Sequence, residues 1–500
     1  YIGSYPIIYD KPTYLAEMAQ GEEGKWKMIN MYTTEPQKPV FLYPLYLALG
    51  HIARITQISV ENIFLISRFF FGTILLFVVL YFIRYFTPGE NQRKIAYFLA
   101  LFASGVGWIF RHIQSLDLGA IPDAAPMVRF SYFPHFSVSH ILFLGTIALF
   151  YHSLKTKNGR FFAILAGMLS FMLNFILPFT SILLYFLIIS LLVIFFINGK
   201  TLLKNKIKNA LIFFALSLPS LFFMYYIGTS DPVWTIVEKQ NILPSPPLVR
   251  IITGYGLPLF FSILGLWALI KKDRLAGLFF SVWIFGVIAL SYIPLWVYPM
   301  QRRFLETAMY VPLAIAASFG IKAIYDYFKK KNVKFLRLKF TFVFSMFAIP
   351  LMIGSNIQNW QIFTYFINET GKPTYYLPKE NIEAMKWLKQ NTPNNGIILA
   401  SFHNSNVIPC FANRMVYAGH GPMTINYAEK LIEVENFYSG KYSPDEAFNF
   451  LKNKKISYVF YSETEKKSED GKQLDYFNPE DYSFLKNVYQ NKDASIYKFE

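Results

Sequence analysis

The chain has 500 residues, of which 54% are hydrophobic, 19% aromatic and 16% charged, with a formal net charge of +17. The Lys and Arg residues sit in alternate loops between apolar runs, not in a stripe with stacking aromatics. That pattern speaks against a nucleic-acid partner and for membrane lipids with anionic headgroups. The single cysteine, Cys410, excludes an intramolecular disulfide and a Cys-cluster metal site.

Residue 1 is Tyr, and we expect a helix to be missing ahead of it. Residues 1–61 read as a first extracytoplasmic loop with amphipathic helices. Residues 40–55 are apolar but short, and Pro44, His51 and Arg54 interrupt them. A helix lying at the membrane surface is expected there. Residues 62–356 then read as a transmembrane bundle of about ten helices, because a spanning helix needs roughly 20 mostly apolar residues. The expected helices are 63–83, 95–110, 136–154, 161–176, 179–197, 210–227, 257–270, 275–293, 305–324 and 340–355. Pro178 divides a run too long for one crossing, which predicts a tight hairpin; one kinked helix is the competing reading.

Loop charge arbitrates. With the hairpin, loops 84–94, 155–160, 198–208, 271–274 and 325–339 share one side and carry 19 Lys and Arg. The opposite loops 111–135, 228–256 and 294–304 carry 6. Cytoplasmic loops hold the positive excess, so the first loop and the tail are expected outside. In the tail, 374–500, helices are expected at 381–390, 428–438 and 444–453. Strands are expected at 397–400, 416–418 and 458–461, with a closing hairpin of 488–489 and 495–499. The expected fold is therefore a multi-span all-α membrane bundle followed by a small extracytoplasmic α/β domain.

The spans are almost free of Asp and Glu, against a proton-relay transporter. The acids of interest lie in the outer loops: Asp10, Glu17, Glu35, Asp117 and Asp123. Asp10 is set among aromatic and apolar neighbours, where desolvation would suit a general base or metal ligand. A helix N-cap ahead of Pro12 is the plainer alternative. Arg302 and Arg303 oppose the positive-inside bias. A phosphate is an apt partner for their guanidinium groups; a lipid headgroup or a salt bridge to an outer acid serves equally. His135 and His420 are read as substrate-binding, against satisfied, non-catalytic histidines. No GxGxxG, GxxxxGK[ST] or HExxH motif is present.

Five stretches taken together resemble the GT-C superfamily of integral-membrane glycosyltransferases, with bacterial members nearest. They are Asp10-Lys-Pro-Thr-Tyr-Leu-Ala-Glu-Met-Ala-Gln-Gly21, Tyr32-Thr-Thr-Glu-Pro36, Pro134-His-Phe136, Gln301-Arg-Arg303 and Gly419-His-Gly-Pro422 with Asn426-Tyr-Ala-Glu-Lys430. The resemblance implies transfer of a sugar from a polyprenyl-phosphate carrier to an acceptor on the outer face. It implies a catalytic first-loop aspartate, which maps to Asp10, and a second acid from the next outer loop, Asp123 or Asp117. Two departures matter. Lys11 follows Asp10, so there is no Asp-Glu or Asp-x-Asp pair. The tail has no WWDYG-type motif, which disfavours an oligosaccharyltransferase proper.

The expected reaction is one displacement at the anomeric carbon. Asp10 acts as base, Arg302 and Arg303 hold the phosphate, and Glu35 or Asp123 binds acceptor or a divalent cation. Asp10 and the two arginines are expected to flank one cavity. The competing classes are a lipid-linked glycan flippase or other transporter, for which Asn174 is almost the only polar candidate in the spans, and a non-catalytic membrane scaffold.

Overall fold

The computed structural model describes residues 10–110, 133–197, 203–330, 338–339, 342, 344–368, 377–466 and 477–500. The chain forms two compact units. One comprises Tyr1–Ile66, Tyr226–Asn241 and Phe363–Glu500; the other comprises Ser67–Tyr225 and Ile242–Ile362. Thus the first loop and the tail, which the sequence reading separates, cluster together with a third stretch.

The second unit is helical. Across the described chain, six helices are long and apolar enough to cross a membrane: Val60–Phe86, Pro134–Lys155, Gly159–Ile176, Pro178–Ile197, Asn205–Ser230 and Leu248–Lys272. Shorter apolar helices run over Arg274–Leu290 and Met346–Gln358. Phe69, Phe77, Phe222 and Trp267 stand more than half exposed on these helices. Only lipid makes such a surface favourable over this length. The protein is a multi-pass membrane protein.

Leu177 alone separates Gly159–Ile176 from Pro178–Ile197. The Asn174 amide donates to the Tyr185 hydroxyl at 3.2 Å. Eleven residues of one helix would span about 16 Å, so the chain must reverse here, as a hairpin. Asn174 is fully buried and also donates to Ser217 O and Ser220 Oγ, both at 2.8 Å. It joins helices instead of lining a path.

Several boundaries differ from expectation: helix 210–227 runs over Leu203–Ser230, and in place of 340–355 a π-helical turn Phe344–Ala348 leads into helix Ile349–Asn368. The 95–110 helix ends at Phe102, and the Ser104 hydroxyl instead donates to Met352 O at 2.7 Å. The 257–270 helix begins earlier, at Leu248, and breaks at Gly256. There φ is +45°, a region that favours glycine. The 305–324 helix begins only at Tyr310, after a separate short helix Arg302–Leu305, because Ala308 adopts a positive φ. From Tyr310 to Ile321 every residue of the later helix is buried, so it forms the unit's central post.

In the first unit, helix Asp10–Glu22 packs on helix Pro44–Thr56. A Cβ at Gly50 would lie 2.0 Å from Met18 O, so glycine lets the two backbones touch. The α/β part carries a five-stranded sheet of order β2-β1-β3-β5-β4. Its strands are β1 Ile397–Leu399, β2 Met415–Val416, β3 Ile456–Ser462, β4 Leu485–Gln490 and β5 Ala494–Phe499. The first three are parallel and the last two pair antiparallel as the predicted hairpin. Helices Lys379–Asn391, Tyr427–Tyr438 and Pro444–Asn453 fall where expected. Helix Phe402–Ala412 was not foreseen; nearly all of it is buried, so no polar face marks it.

Two buried charges hold this part together. Glu465 accepts from the backbone N–H of Ser401 and Ser462, from both their hydroxyls and from the Asn404 amide, at 2.6–3.0 Å. Arg414 donates to the carbonyls of Lys389, Thr392, Ala412 and Asn413 and to Thr392 Oγ1. These close the C-terminal ends of two helices, where a cation also complements the dipoles.

Candidate active site

Asp10 opens its helix, where unpaired N–H groups and the dipole favour a carboxylate. It makes no side-chain cap there; its backbone carbonyl instead accepts from Thr13 Oγ1 at 2.7 Å. The side chain is 34% exposed and its Oδ1 lies 3.0 Å from His420 Nε2. An ionised carboxylate only accepts, so Nε2 carries the proton and donates. Oδ2 accepts no hydrogen bond from any described residue. His420, read from sequence as substrate-binding, is therefore placed as the partner of Asp10.

The segment after the first helix fixes His420. Gly419 N donates to Thr424 Oγ1 at 3.0 Å, which donates to Tyr32 O at 2.8 Å. Ile425 N donates to Thr33 Oγ1 at 3.3 Å. The Tyr32 ring meets the His420 ring edge-on, with centroids 6.1 Å apart. Three of the five quoted stretches are thus brought together in this unit.

Glu35 is engaged elsewhere. Lys430 Nζ lies 2.6 Å from its Oε1, and Thr33 Oγ1 donates to Oε2. Burial pushes the Glu35 carboxyl up, but the hydrogen bonds from Lys430 and Thr33 and the Lys430 charge outweigh it and hold it below the usual range. A carboxylate tied in this way anchors the loop and is poorly suited to take a proton. Among the described residues no three His, Cys, Asp or Glu side chains gather as a metal would require. No step below uses a cation. Asp117 and Asp123 lie outside the described residues.

In the other unit, Arg302 Nε donates to Glu306 Oε1 at 2.9 Å and Arg303 Nη1 donates to Glu306 Oε2 at 2.8 Å. Arg303 also stacks over the Phe179 ring, 4.8 Å from its centroid. Glu306 is buried, and the sequence reading did not single it out. Two guanidinium groups around one carboxylate leave a net positive charge on a fixed frame. That frame is built by Gln301, whose Oε1 accepts from Ser245 N at 2.9 Å and whose amide donates to Ile293 O. Arg302 N further donates to Leu243 O at 3.1 Å. Here the salt bridge that sequence left open is present. His135 is buried between Phe133 and Phe136, with ring centroids 5.7 and 4.2 Å away.

The fold is a multi-span helical bundle with a small α/β part. Solved structures share it. The chain matches the archaeal oligosaccharyltransferase AglB from Archaeoglobus fulgidus, in complex with an inhibitory peptide and a dolichol-phosphate, at TM-score 0.59 and 13% identity. That match covers 92% of this chain and 66% of AglB, so the chain spans just under two-thirds of its relative. It also matches ArnT from Cupriavidus metallidurans bound to undecaprenyl phosphate, at TM-score 0.52 and 11% identity, covering 97% of this chain and 92% of ArnT. No family model matches the chain, and no curated protein matches it in sequence.

Proposed function

We propose that this protein is a membrane glycosyltransferase that moves a sugar from a polyprenyl-phosphate carrier to an acceptor on the extracytoplasmic face. The observation that carries the reading is the Asp10–His420 hydrogen bond, which engages one Asp10 oxygen and leaves the other to take a proton. Fold likeness to proteins solved with dolichol-phosphate and undecaprenyl phosphate supports the choice of donor. The loop-charge asymmetry supports the sidedness.

In this mechanism an acceptor hydroxyl attacks the anomeric carbon of the carrier-bound sugar. The new C–O bond forms as the bond to the phosphate oxygen breaks, and the hydroxyl proton passes to Asp10 Oδ2. His420 is a positioning residue that holds the carboxylate in one rotamer. The departing polyprenyl phosphate leaves as an anion and needs no proton. Arg302 and Arg303 offset its charge, since a guanidinium fork matches phosphate oxygens.

The test is turnover and donor binding by the purified protein in proteoliposomes. Asp10→Asn keeps the shape and removes the base, so turnover should fall by about 10²–10⁴-fold with donor affinity retained. Arg302→Ala or Arg303→Ala should weaken donor binding, and Lys should rescue only in part. Full turnover by Asp10→Asn would refute the assignment.

A further inference from the structure

Two loops next to the arginine pair carry no charge. No Asp, Glu, Lys, Arg or His occurs in residues 240–249 or 275–301. The first stretch leads into helix Leu248–Lys272, and the second leaves helix Arg274–Leu290 and runs up to Arg302. Exposed loops in water ordinarily carry charged side chains, since these are the least easily buried.

The two loops are pinned to each other. Leu243 N–H donates to Pro299 O at 2.9 Å, and Arg302 N–H donates back to Leu243 O at 3.1 Å. The Tyr292 hydroxyl donates to Pro246 O at 2.9 Å. The buried Gln301 side chain bridges them, accepting from Ser245 N and donating to Ile293 O. Proline completes the bracing. Pro244, Pro246, Pro247, Pro294 and Pro299 have no N–H to satisfy. Across 243–247 every backbone N–H is therefore either bonded or missing. In the second loop Tyr292 and Ile293 donate to the helix before it, and Val297 and Tyr298 donate to Pro294 O. A non-helical segment with so few donors left to hydrate loses little on leaving water.

The tip of the second loop is apolar. Tyr298 packs on Phe304, with ring centroids 4.9 Å apart. Leu295, Trp296 and Val297 are exposed instead, Trp296 by 87%, and Ile242 and Tyr292 are exposed on the same pair of loops. An apolar tip of this kind is unfavourable in water. It continues a surface already assigned to lipid, because Leu248, Val249 and Ile252 are exposed on the first turns of the spanning helix Leu248–Lys272.

We propose that loops 242–247 and 291–301 form a braced wedge seated in the bilayer, at the boundary of headgroups and acyl chains, with Trp296 at its tip. Tryptophan favours that boundary because its ring is apolar and its N–H is polar. A charged partner would find nothing on the wedge to pair with. Arg302 follows directly in the chain, so the wedge sets the arginine pair at the depth of lipid phosphates. The proposal needs only the membrane fold and does not rest on the transferase reading.

Spin labels on the full chain in phosphatidylcholine–phosphatidylglycerol vesicles test it. The label sites are Trp296→Cys, Val297→Cys and, as a water reference, Lys492→Cys, an exposed position in the turn between β4 and β5. The wild type, whose single cysteine is buried, is the labelling blank. Collision rates are measured with oxygen, which concentrates in lipid, and with a nickel chelate, which stays in water. The oxygen-to-nickel ratio at 296 and 297 should exceed that at 492 several-fold. Equal ratios would put the loop in water and overturn the wedge. Labels that meet neither reagent, or dipolar broadening that disappears on dilution with unlabelled protein, would also overturn it, since protein or a second copy then covers the tip. A second measurement leaves the loop unlabelled. Brominated phosphatidylcholine should quench the tryptophan fluorescence of the wild type more than that of Trp296→Phe, and equal quenching would refute the wedge by itself.

Discussion

Glu465→Gln is a near-isosteric change that should be costly. Both Glu465 oxygens accept from backbone N–H groups, Oε1 from Ser401 and Oε2 from Ser462, at 3.0 and 2.9 Å. A glutamine must turn its NH₂ toward one of them, whichever way it flips. One fully buried N–H then loses its acceptor and faces a donor. Leaving one such group unsatisfied costs about 1–3 kcal/mol, and the Asn404 amide loses one of its two bonds as well. We expect about 2–3 kcal/mol, which for a unit of this size lowers Tm by roughly 4–12 °C. The pH dependence gives a second reading. Burial pushes the Glu465 carboxyl above its usual range, although hydrogen bonds from Ser462, Ser401 and Asn404 pull it back. The folded state therefore binds the proton more tightly than the unfolded chain. Its contribution is full below the ordinary carboxylate range and is lost as pH rises through the raised value. The variant lacks this term, so its deficit should be widest at acid pH. Urea or thermal melts of the detergent-purified protein from pH 4 to 8 measure both effects. A deficit within about 0.5 kcal/mol, the usual scatter for surface changes, would refute the carboxylate-specific account.

Arg414→Lys should destabilise by about 2–3 kcal/mol, since one ammonium offers three donors where the guanidinium meets five acceptors on two helix ends; equal melting temperatures would count against it. Glu306→Gln raises the local positive charge yet should weaken donor binding about tenfold, about 1.4 kcal/mol, because the arginines lose the carboxylate that orients them. Tighter binding would mean that charge alone matters there. Glu17→Gln should gain on the wild type as pH rises from 5 to 9, because burial raises the Glu17 carboxyl and the native state gives up that proton reluctantly; parallel pH profiles would contradict this. A cysteine introduced at Gln390 should react with an impermeant maleimide in intact cells, and labelling only after lysis would reverse the proposed orientation.

Membrane helices were legible because burial in lipid demands long apolar runs, and that demand is written in consecutive residues. Helix ends were less so where tertiary bonds decide them. Nothing local announces that Ser104 will satisfy Met352 O, or that Ala308 will turn the chain after Leu305. Helix Phe402–Ala412 escaped because a helix buried all round has no polar stripe to reveal its period. Among the site residues, Asp10 was visible as an acid in apolar company. Its tie to His420 was not, since pairing across the chain leaves no spacing to count. Glu306 was three residues from Arg303, and that i,i+3 relation was the available signal for it.

Asp10 and His420 stand 410 residues apart. At about 5–20 residues per second, a ribosome needs roughly 20–80 s to deliver the second after the first. Throughout that interval the emerging polypeptide has the carboxylate but not the imidazole that steadies it. The sheet also closes late, because β3 and β5 are synthesised after His420. Under the proposed reading, a lipid-linked donor met during insertion would find Asp10 without its partner. By the same logic, any nonsense mutation upstream of codon 420 should yield a chain that is membrane-integrated yet silent.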